Sequence, residues 1–182
     1  MKTRFFAYIM FLMMMVSCSS QDYGISFLKL GCSEKEIVET LDKRLFEYRY
    51  ESSYEGYDAD YKTIRIKHAD IDDVRYGTIR ISFYKDKVCF MEFRIHDTSQ
   101  KPTNIDTFVK MLYATYGDPS TKNPNVQGGF AKYYWGDNRS KFMILENNDV
   151  GYGYSDYKTL YIADMSSKSD ILVSYKQEIF GE

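Results

Sequence analysis

The sequence predicts an α+β domain: an antiparallel β-sheet with two main helices packed on one face, and a short C-terminal helix as a further candidate element. Apolar and polar residues alternate in segments 61–71, 75–84 and 88–96, which is the period of half-buried strands. Two other segments carry apolar residues at helical spacing. Short connections between the alternating segments favour antiparallel pairing.

The first helix has a clear start signal. Ser33 is a predicted N-cap, and Glu36 three residues later completes a capping box. Ile37 and Leu41 then follow at helical spacing, so we expect this helix to extend from Ser33 to about Arg44.

The second helix is bounded on both sides. Thr103 is the predicted N-cap, and Gly117 followed by Pro119 ends the helix. A weaker helical pattern after Ser169 is the candidate C-terminal helix.

The remaining segments are predicted to be strands. A three-residue connection between the second and third alternating segments would place Phe83 opposite Cys89 and Ile79 opposite Phe93, with all four on one face. Further strands are expected near 25–30, 131–135, 141–146 and 157–164. Each half of the chain therefore contains a helix, a loop and a hairpin, which suggests a faint internal duplication.

The N-terminus has the organisation of an export signal. Lys2 and Arg4 precede an apolar run at residues 5–16, and small residues follow around Cys18. This pattern is typical of a secretory signal peptide, and the run is shorter than the roughly 20 apolar residues that a spanning helix needs. We therefore expect a signal at 1–17, a tether at 18–23 and one α+β domain at 24–182.

The motif Met15-Val16-Ser17-Cys18 resembles the lipobox of bacterial lipoproteins. The resemblance implies that Cys18 is lipidated, carries fatty chains such as palmitate and becomes the first residue of the mature protein. Two or more acyl chains give a stable membrane anchor where one does not. An ordinary cleaved signal with a chance cysteine, and an uncleaved helical anchor, are the alternatives.

Ser19 after the cysteine is similar to the pattern of outer-membrane lipoproteins in Gram-negative bacteria. The resemblance implies lipid anchoring at the outer membrane. Only Asp22 lies close to the cysteine as an acidic residue, which favours the periplasmic face over the cell surface; surface exposure is the alternative.

Two further motifs resemble envelope proteins. The Gly31-to-Ile37 segment is similar to the helix start of the outer-membrane assembly lipoprotein BamE. Tyr116-Gly117-Asp118-Pro119, followed by Tyr133-Tyr134-Trp135, resembles the pattern of that group and of β-lactamase inhibitor proteins. Through these motifs, the chain looks most similar to small uncharacterised lipoproteins of Bacteroidetes. These resemblances imply a fold and carry over no functional residue.

Charge argues against nucleic acid as a partner. The chain has 24 basic and 26 acidic side chains, a formal net charge of −2. Removal of Lys2 and Arg4 with the signal leaves 22 basic and 26 acidic side chains, or −4. A mildly acidic chain without a basic block is not typical of nucleic-acid-binding proteins. The count of 18 tyrosines favours sheet structure.

Two cysteines remain after Cys18. Export would place Cys32 and Cys89 where a disulfide can form, so they are a candidate pair, although their separation cannot be read from sequence. Two buried free thiols are the alternative.

Residues that could carry catalysis or bind metal are scattered. His68 and His96 have no ligand-type neighbour at metal-site spacing. Asp58-Ala59-Asp60 lacks the remaining ligands of a calcium loop, and Asp70-Ile71-Asp72-Asp73 is expected to form a solvated turn. Gly151-Tyr152-Gly153 lacks the third glycine of a dinucleotide cradle. We therefore predict no enzyme activity, no metal site and no cofactor.

The aromatic residues are the strongest functional candidates. Tyr133, Trp135, Tyr152, Tyr154 and Tyr157 form a candidate binding surface, since aromatics give rigid contact area; sheet packing is the alternative. The leading hypothesis is a tethered, non-catalytic binding or assembly module, with the membrane and an envelope protein or glycan as partners. A glycan- or small-ligand-binding lipoprotein is the second hypothesis, and a hydrolase the third.

Overall fold

The computed structural model describes residues 23–51, 60–123, 132–136, 141–148 and 157–164. The α+β class is confirmed, because the described residues form mostly antiparallel sheet together with two helices. The predicted signal, Cys18 and the candidate C-terminal helix lie outside these residues.

The elements follow the sequence closely. The helices are α1 (Glu34–Lys43) and α2 (Asn104–Tyr116). The strands are β1 (Gly24–Ile25), β2 (Leu28–Lys29), β3 (Tyr48–Glu51), β4 (Tyr61–Ile71), β5 (Val74–Tyr84), β6 (Lys87–His96), β7 (Thr121–Asn123), β8 (Lys132–Gly136), β9 (Lys141–Asn148) and β10 (Tyr157–Asp164). The single strand expected near 25–30 is instead the small hairpin β1–β2, which turns at Ser26 and Phe27.

The main sheet has the strand order β3-β4-β5-β6-β10-β9-β8-β7, and every neighbouring pair is antiparallel. Each half of the chain is thus one helix followed by a four-stranded meander. The two meanders meet through their last strands, β6 and β10. This arrangement agrees with the duplication that the sequence suggested.

The β5–β6 hairpin corrects the predicted connection. Its turn has two residues, Lys85 and Asp86, with φ of 49° and 59°, and Phe83 lies opposite Val88 rather than Cys89. A bulge then shifts the register by one residue, so Ile79 does lie opposite Phe93. The two-residue turn matches strand twist, and the bulge restores the apolar face that the three-residue loop was meant to preserve.

A second irregularity, within β4 and β5, changes which alternate residues point into the core. Ile64 and Ile66 alternate into the core, as do Ala69 and Ile71 beyond His68, whose φ is 54°. Gly77 lies next to His68 on β5, and the β5–β6 register also shifts there. Both strands therefore keep one face apolar along their length despite the irregularity.

The buried residues form two clusters. The larger cluster contains one alternate set of strand residues together with Ile37 and Leu41 of α1 and Phe108 and Leu112 of α2. The smaller cluster is formed by Tyr61, Cys89, Phe90, Phe142, Ile144 and Ala163. Since successive strand residues point to opposite sides, the smaller cluster and its neighbours lie on the sheet face opposite the larger one; we call this the second face.

The ends of the helices are held by different groups. The capping box of Ser33 and Glu36 is confirmed, with the Ser33 backbone N–H donating to Glu36 Oε2 at 2.7 Å. Thr103 stands at the N-cap of α2 but makes no side-chain capping bond. Asp97 replaces it, because its Oδ1 accepts a hydrogen bond from the Ile105 N–H at 2.8 Å.

Asn104 attaches the start of α2 to the sheet. Its buried side chain accepts from the Arg75 N–H at 2.8 Å and donates to the carbonyl oxygens of Arg75 at 2.7 Å and His96 at 3.0 Å. One amide therefore satisfies backbone groups on both β5 and β6.

Replacement of Asn104 by Ala should lower the free energy of unfolding by about 2–3 kcal/mol, because three buried backbone groups lose their partner. Urea denaturation measures this difference. Lys110→Ala, at an exposed position of the same helix, is the control and should change stability by less than about 0.5 kcal/mol. Equal stability of the two variants would contradict the role assigned to Asn104.

Candidate functional site

The candidate aromatic surface is only partly as predicted. Trp135 is 3% exposed; its indole N–H donates to the Gly117 carbonyl at 3.0 Å, and its ring meets Tyr113 edge-on. Its assignment to a binding surface was therefore wrong, because packing against α2 buries it. Tyr133 packs against the larger cluster, and Tyr157 is half-buried at the start of β10.

Tyr152 and Tyr154 lie outside the described residues, so their part in a binding surface stays a prediction. Tyr134 packs against the smaller cluster, which confirms that neighbouring aromatics of β8 point to opposite faces.

The candidate disulfide is absent, since Cys32 and Cys89 are both free thiols. Cys32 packs against the larger cluster, whereas Cys89 is buried in the smaller one, within the β5–β6 bulge. Cys89 was expected on the apolar face of its strand; the bulge turns it to the second face, where its thiol donates to the Ser82 carbonyl at 3.4 Å.

The predicted turn at residues 70–73 is confirmed in part: Asp72 and Asp73 connect β4 to β5 with φ of 49° and 64°, whereas Asp70 and the buried Ile71 are the last residues of β4. His68 is exposed, and the ring of His96 packs directly on Gly77. Within the described ranges, no group of three or more His, Cys, Asp or Glu side chains could hold a metal ion.

The most unusual feature of the described residues is a row of arginines across the second face. Arg49, Arg65 and Arg80 occupy directly opposite positions on β3, β4 and β5. Neighbouring strands are about 4.8 Å apart, and like charges directly opposite one another destabilise a sheet. A row of this kind therefore needs counter-charges or a partner.

Two glutamates provide part of the counter-charge. Glu51 lies 3.4 Å from Arg65 Nη1 and 3.3 Å from Arg80 Nε. Glu92 continues the row on β6 and is 2% exposed; it accepts from Arg80 Nη1 at 3.0 Å and from Arg94 Nε at 2.5 Å. Each carboxylate thus holds two guanidinium groups in place.

Among the described residues, the charges on this part of the second face do not balance. Lys67 alternates with Arg65 on β4 and is exposed, so five described cations lie beside two described anions. We call this set the arginine patch: Arg49, Arg65, Lys67, Arg80 and Arg94 with Glu51 and Glu92. Among the described residues, the terminal nitrogens of Arg94 make no hydrogen bond. A local excess of positive charge on an acidic chain is a physical reason to expect an anionic partner.

Next to the arginine patch, directly opposite residues of β4 and β5 carry the same kind of side chain. Arg65 and Arg80 form the first row, and Thr63 and Ser82 form the next, with their hydroxyl oxygens 3.1 Å apart. The tyrosine pair Tyr61 and Tyr84 forms the third row. The face therefore changes from charge to hydroxyl to aromatic within a few residues.

The second half of the sheet is different on the same face. Phe142 and Ile144 of β9 are buried there, and Lys132 Nζ forms an ion pair with Glu146 Oε1 at 2.9 Å. Within the described part of the chain, the excess cations therefore belong to the first repeat.

The sequence contains a signal for the arginine patch that was missed. The polar partners in the alternating segments include Arg65, Arg80, Glu92 and Arg94, and any strand with one wet face has such residues. Only the register across four strands shows that these particular residues meet.

A second group of titratable residues lies at the outer edge, on the side of the larger cluster. Tyr50 donates to Glu34 Oε1 at 2.7 Å, and Lys62 donates to Glu34 Oε2 at 2.8 Å and Asp86 Oδ1 at 3.3 Å. Partial burial, followed by the hydrogen bond to Glu34, raises the pKa of Tyr50 to about 12. This group joins α1 to strands β3 and β4, and its role is structural.

Comparison of the chain with protein-family models, curated proteins and solved structures finds no match. The assignment of function therefore depends on the residues themselves.

Replacement of Glu92 by Gln should lower the free energy of unfolding by about 1–3 kcal/mol. The loss of this buried carboxylate leaves Arg80 and Arg94 without their shared counter-charge, and the value is reduced because both arginines are partly exposed. Urea denaturation gives the value. In the control Glu39→Gln, which removes an exposed pair with Lys35, a change below about 0.5 kcal/mol is expected; a similar result for Glu92→Gln would refute the anchoring role.

Replacement of Tyr50 by Phe should make the free energy of unfolding decrease less steeply as the pH rises above 10. The folded-state pKa of Tyr50 is about 12, above the ordinary value of 10, so its contribution is complete below pH 10 and is lost as the pH rises through 12. Unfolding free energies measured at pH 9, 10 and 11 for both proteins test this. Identical pH dependence would show that Tyr50 does not contribute.

Proposed function

We propose that this chain is an exported lipoprotein, anchored through Cys18, whose folded domain is a non-catalytic binding or assembly module. The observation that carries the binding role is the arginine patch, with its five cations and two anions on one face. Guanidinium groups stay protonated at physiological pH and present several N–H donors in a fixed plane. They are suited to hold an oxyanion and unsuited to proton transfer, which favours binding over acid–base catalysis.

The tether is supported by the N-terminal sequence. A charged start, an apolar run and Cys18 at the exit resemble the lipoprotein signal, and lipid on that residue would keep the domain at a bilayer. Among the described residues, no helix is long and apolar enough to cross a membrane. We infer anchoring at the outer membrane of a Gram-negative envelope, on its periplasmic face, and a relationship to the small lipoproteins of Bacteroidetes.

The arrangement of the helices fits this role. We infer that α1 and α2 cover one face of the sheet, because their buried residues belong to the larger cluster. Tyr23, the first described residue after the tether, is also in that cluster and stacks on Tyr116 of α2. The tether would then join the domain on the helix side, and the arginine patch would lie on the opposite side.

A glycan-binding role is the second candidate function. It is favoured by the neighbouring rows of arginines, hydroxyl residues and tyrosines on β4 and β5, because sugars combine hydroxyl groups with apolar ring faces.

Metabolic labelling with a palmitate analogue tests the tether. We expect the full-length chain, expressed in a Gram-negative host, to be labelled and to fractionate with membranes. Cys18→Ser should lose both properties, and the matched control Cys32→Ser should keep them. A wild-type chain that stays unlabelled and is recovered in the soluble fraction would overturn the proposal.

A further inference from the structure

We propose that the arginine patch binds a linear acidic glycan, one whose successive sugars carry carboxylate groups. This inference rests on the binding role proposed above and specifies its ligand. It does not depend on lipidation of Cys18, so the proposed ligand and the proposed anchor can be rejected separately.

The first argument is the geometry of the cations. The arginine row runs across β3, β4 and β5 in directly opposed positions, so its members recur at the strand spacing of about 4.8 Å. Lys67 and Arg94 lie in the next row, on the two strands that flank Thr78, and add charge on one side of the arginine row. An extended chain with regularly repeated carboxylates can meet several of these groups at once, whereas a single small anion would use only one or two.

The second argument is that three of the five cations, Arg65, Arg80 and Arg94, are held in place before binding. Glu92 is buried and contacts both Arg80 and Arg94, and Glu51 contacts Arg65 and Arg80. Anchored side chains lose less conformational entropy when a ligand binds. Four of the five cations are arginines, whose planar fork pairs with a carboxylate through two parallel hydrogen bonds.

The third argument separates a glycan from other anions. Thr63, half-buried beside the arginines, supplies a hydroxyl group for a sugar hydroxyl, and the buried Ser82 supports it at 3.1 Å. Tyr84 beyond them is a half-buried aromatic ring. A protein interface would be expected to place apolar and aromatic residues at its centre, but the centre of this patch is ionic.

The test uses the full-length chain in detergent and polygalacturonate as the probe, with affinity measured by calorimetry at low salt. We expect binding that weakens as salt is added, because the contacts are ionic. Arg65→Gln and Arg94→Gln should each weaken binding by about tenfold, the effect of losing one charge-assisted contact. Lys110→Gln, on the exposed side of α2, removes the same charge elsewhere and should change the affinity by less than about twofold.

The variant Arg65→Lys tests whether the planar shape of the guanidinium group matters in addition to its charge. It keeps the positive charge but removes the planar fork, so we expect its affinity to lie between those of wild type and Arg65→Gln. Circular dichroism melting of each variant establishes that it is folded, and Arg94→Gln serves as the second variant if Arg65→Gln fails to fold.

Three further probes identify the ligand class. Fully methyl-esterified polygalacturonate has the same sugars without charge and should not bind. Poly-glutamate and phosphatidylglycerol vesicles carry anions without sugars and should bind at least about tenfold more weakly. The proposal would be overturned by an absence of binding to polygalacturonate, by equal binding to any of these probes, or by full affinity in both arginine variants.

The labelling and binding results can be interpreted independently. If the chain is labelled with palmitate but does not bind polygalacturonate, the proposed ligand is rejected and the proposed tether remains. Glycan binding by a chain that is not labelled would support the ligand and reject the anchor.

Discussion

The pairing of β6 with β10 is the interaction on which the rest of the structure depends. These are the last strands of the two meanders, and seven residue pairs join them, from Tyr157 opposite His96 to Ala163 opposite Phe90. Without this pairing each repeat would be a four-stranded sheet with an uncovered apolar edge. With it, Leu160 and Ile162 of the second repeat enter the larger cluster beside Phe93 of the first, so one core serves both halves.

Because the two halves share the larger cluster as their core, the residues on their second faces can differ. On its second face the first repeat carries the arginines, whereas the second repeat carries the buried Phe142 and Ile144. Opposed arginines are unfavourable in a sheet, and Arg80 is held between Glu51 and Glu92. Natural proteins keep such locally unfavourable groups mainly at functional sites, which is why we propose the binding role for the first repeat.

The sequence predicted the strongly periodic elements well. Helices α1 and α2 and the long strands were located because each has regular spacing and defined ends, such as Ser33 and Gly117. The β5–β6 turn was wrong because a bulge at Cys89 can restore the register after a tight turn, and local pattern does not distinguish the two. Trp135 was misplaced because burial depends on α2, which is distant in sequence.

The outer strands have a consequence for how copies of the protein coexist. Strands β3 and β7, at the two sides of the described sheet, have only four and three residues, whereas β4 has eleven. The part of β4 beyond β3 contains His68 with a left-handed backbone and the charged side chain of Asp70. Short, irregular and charged edges resist pairing with another chain. For molecules concentrated in two dimensions by the proposed lipid anchor, such edges would keep neighbouring copies from pairing strand to strand and aggregating.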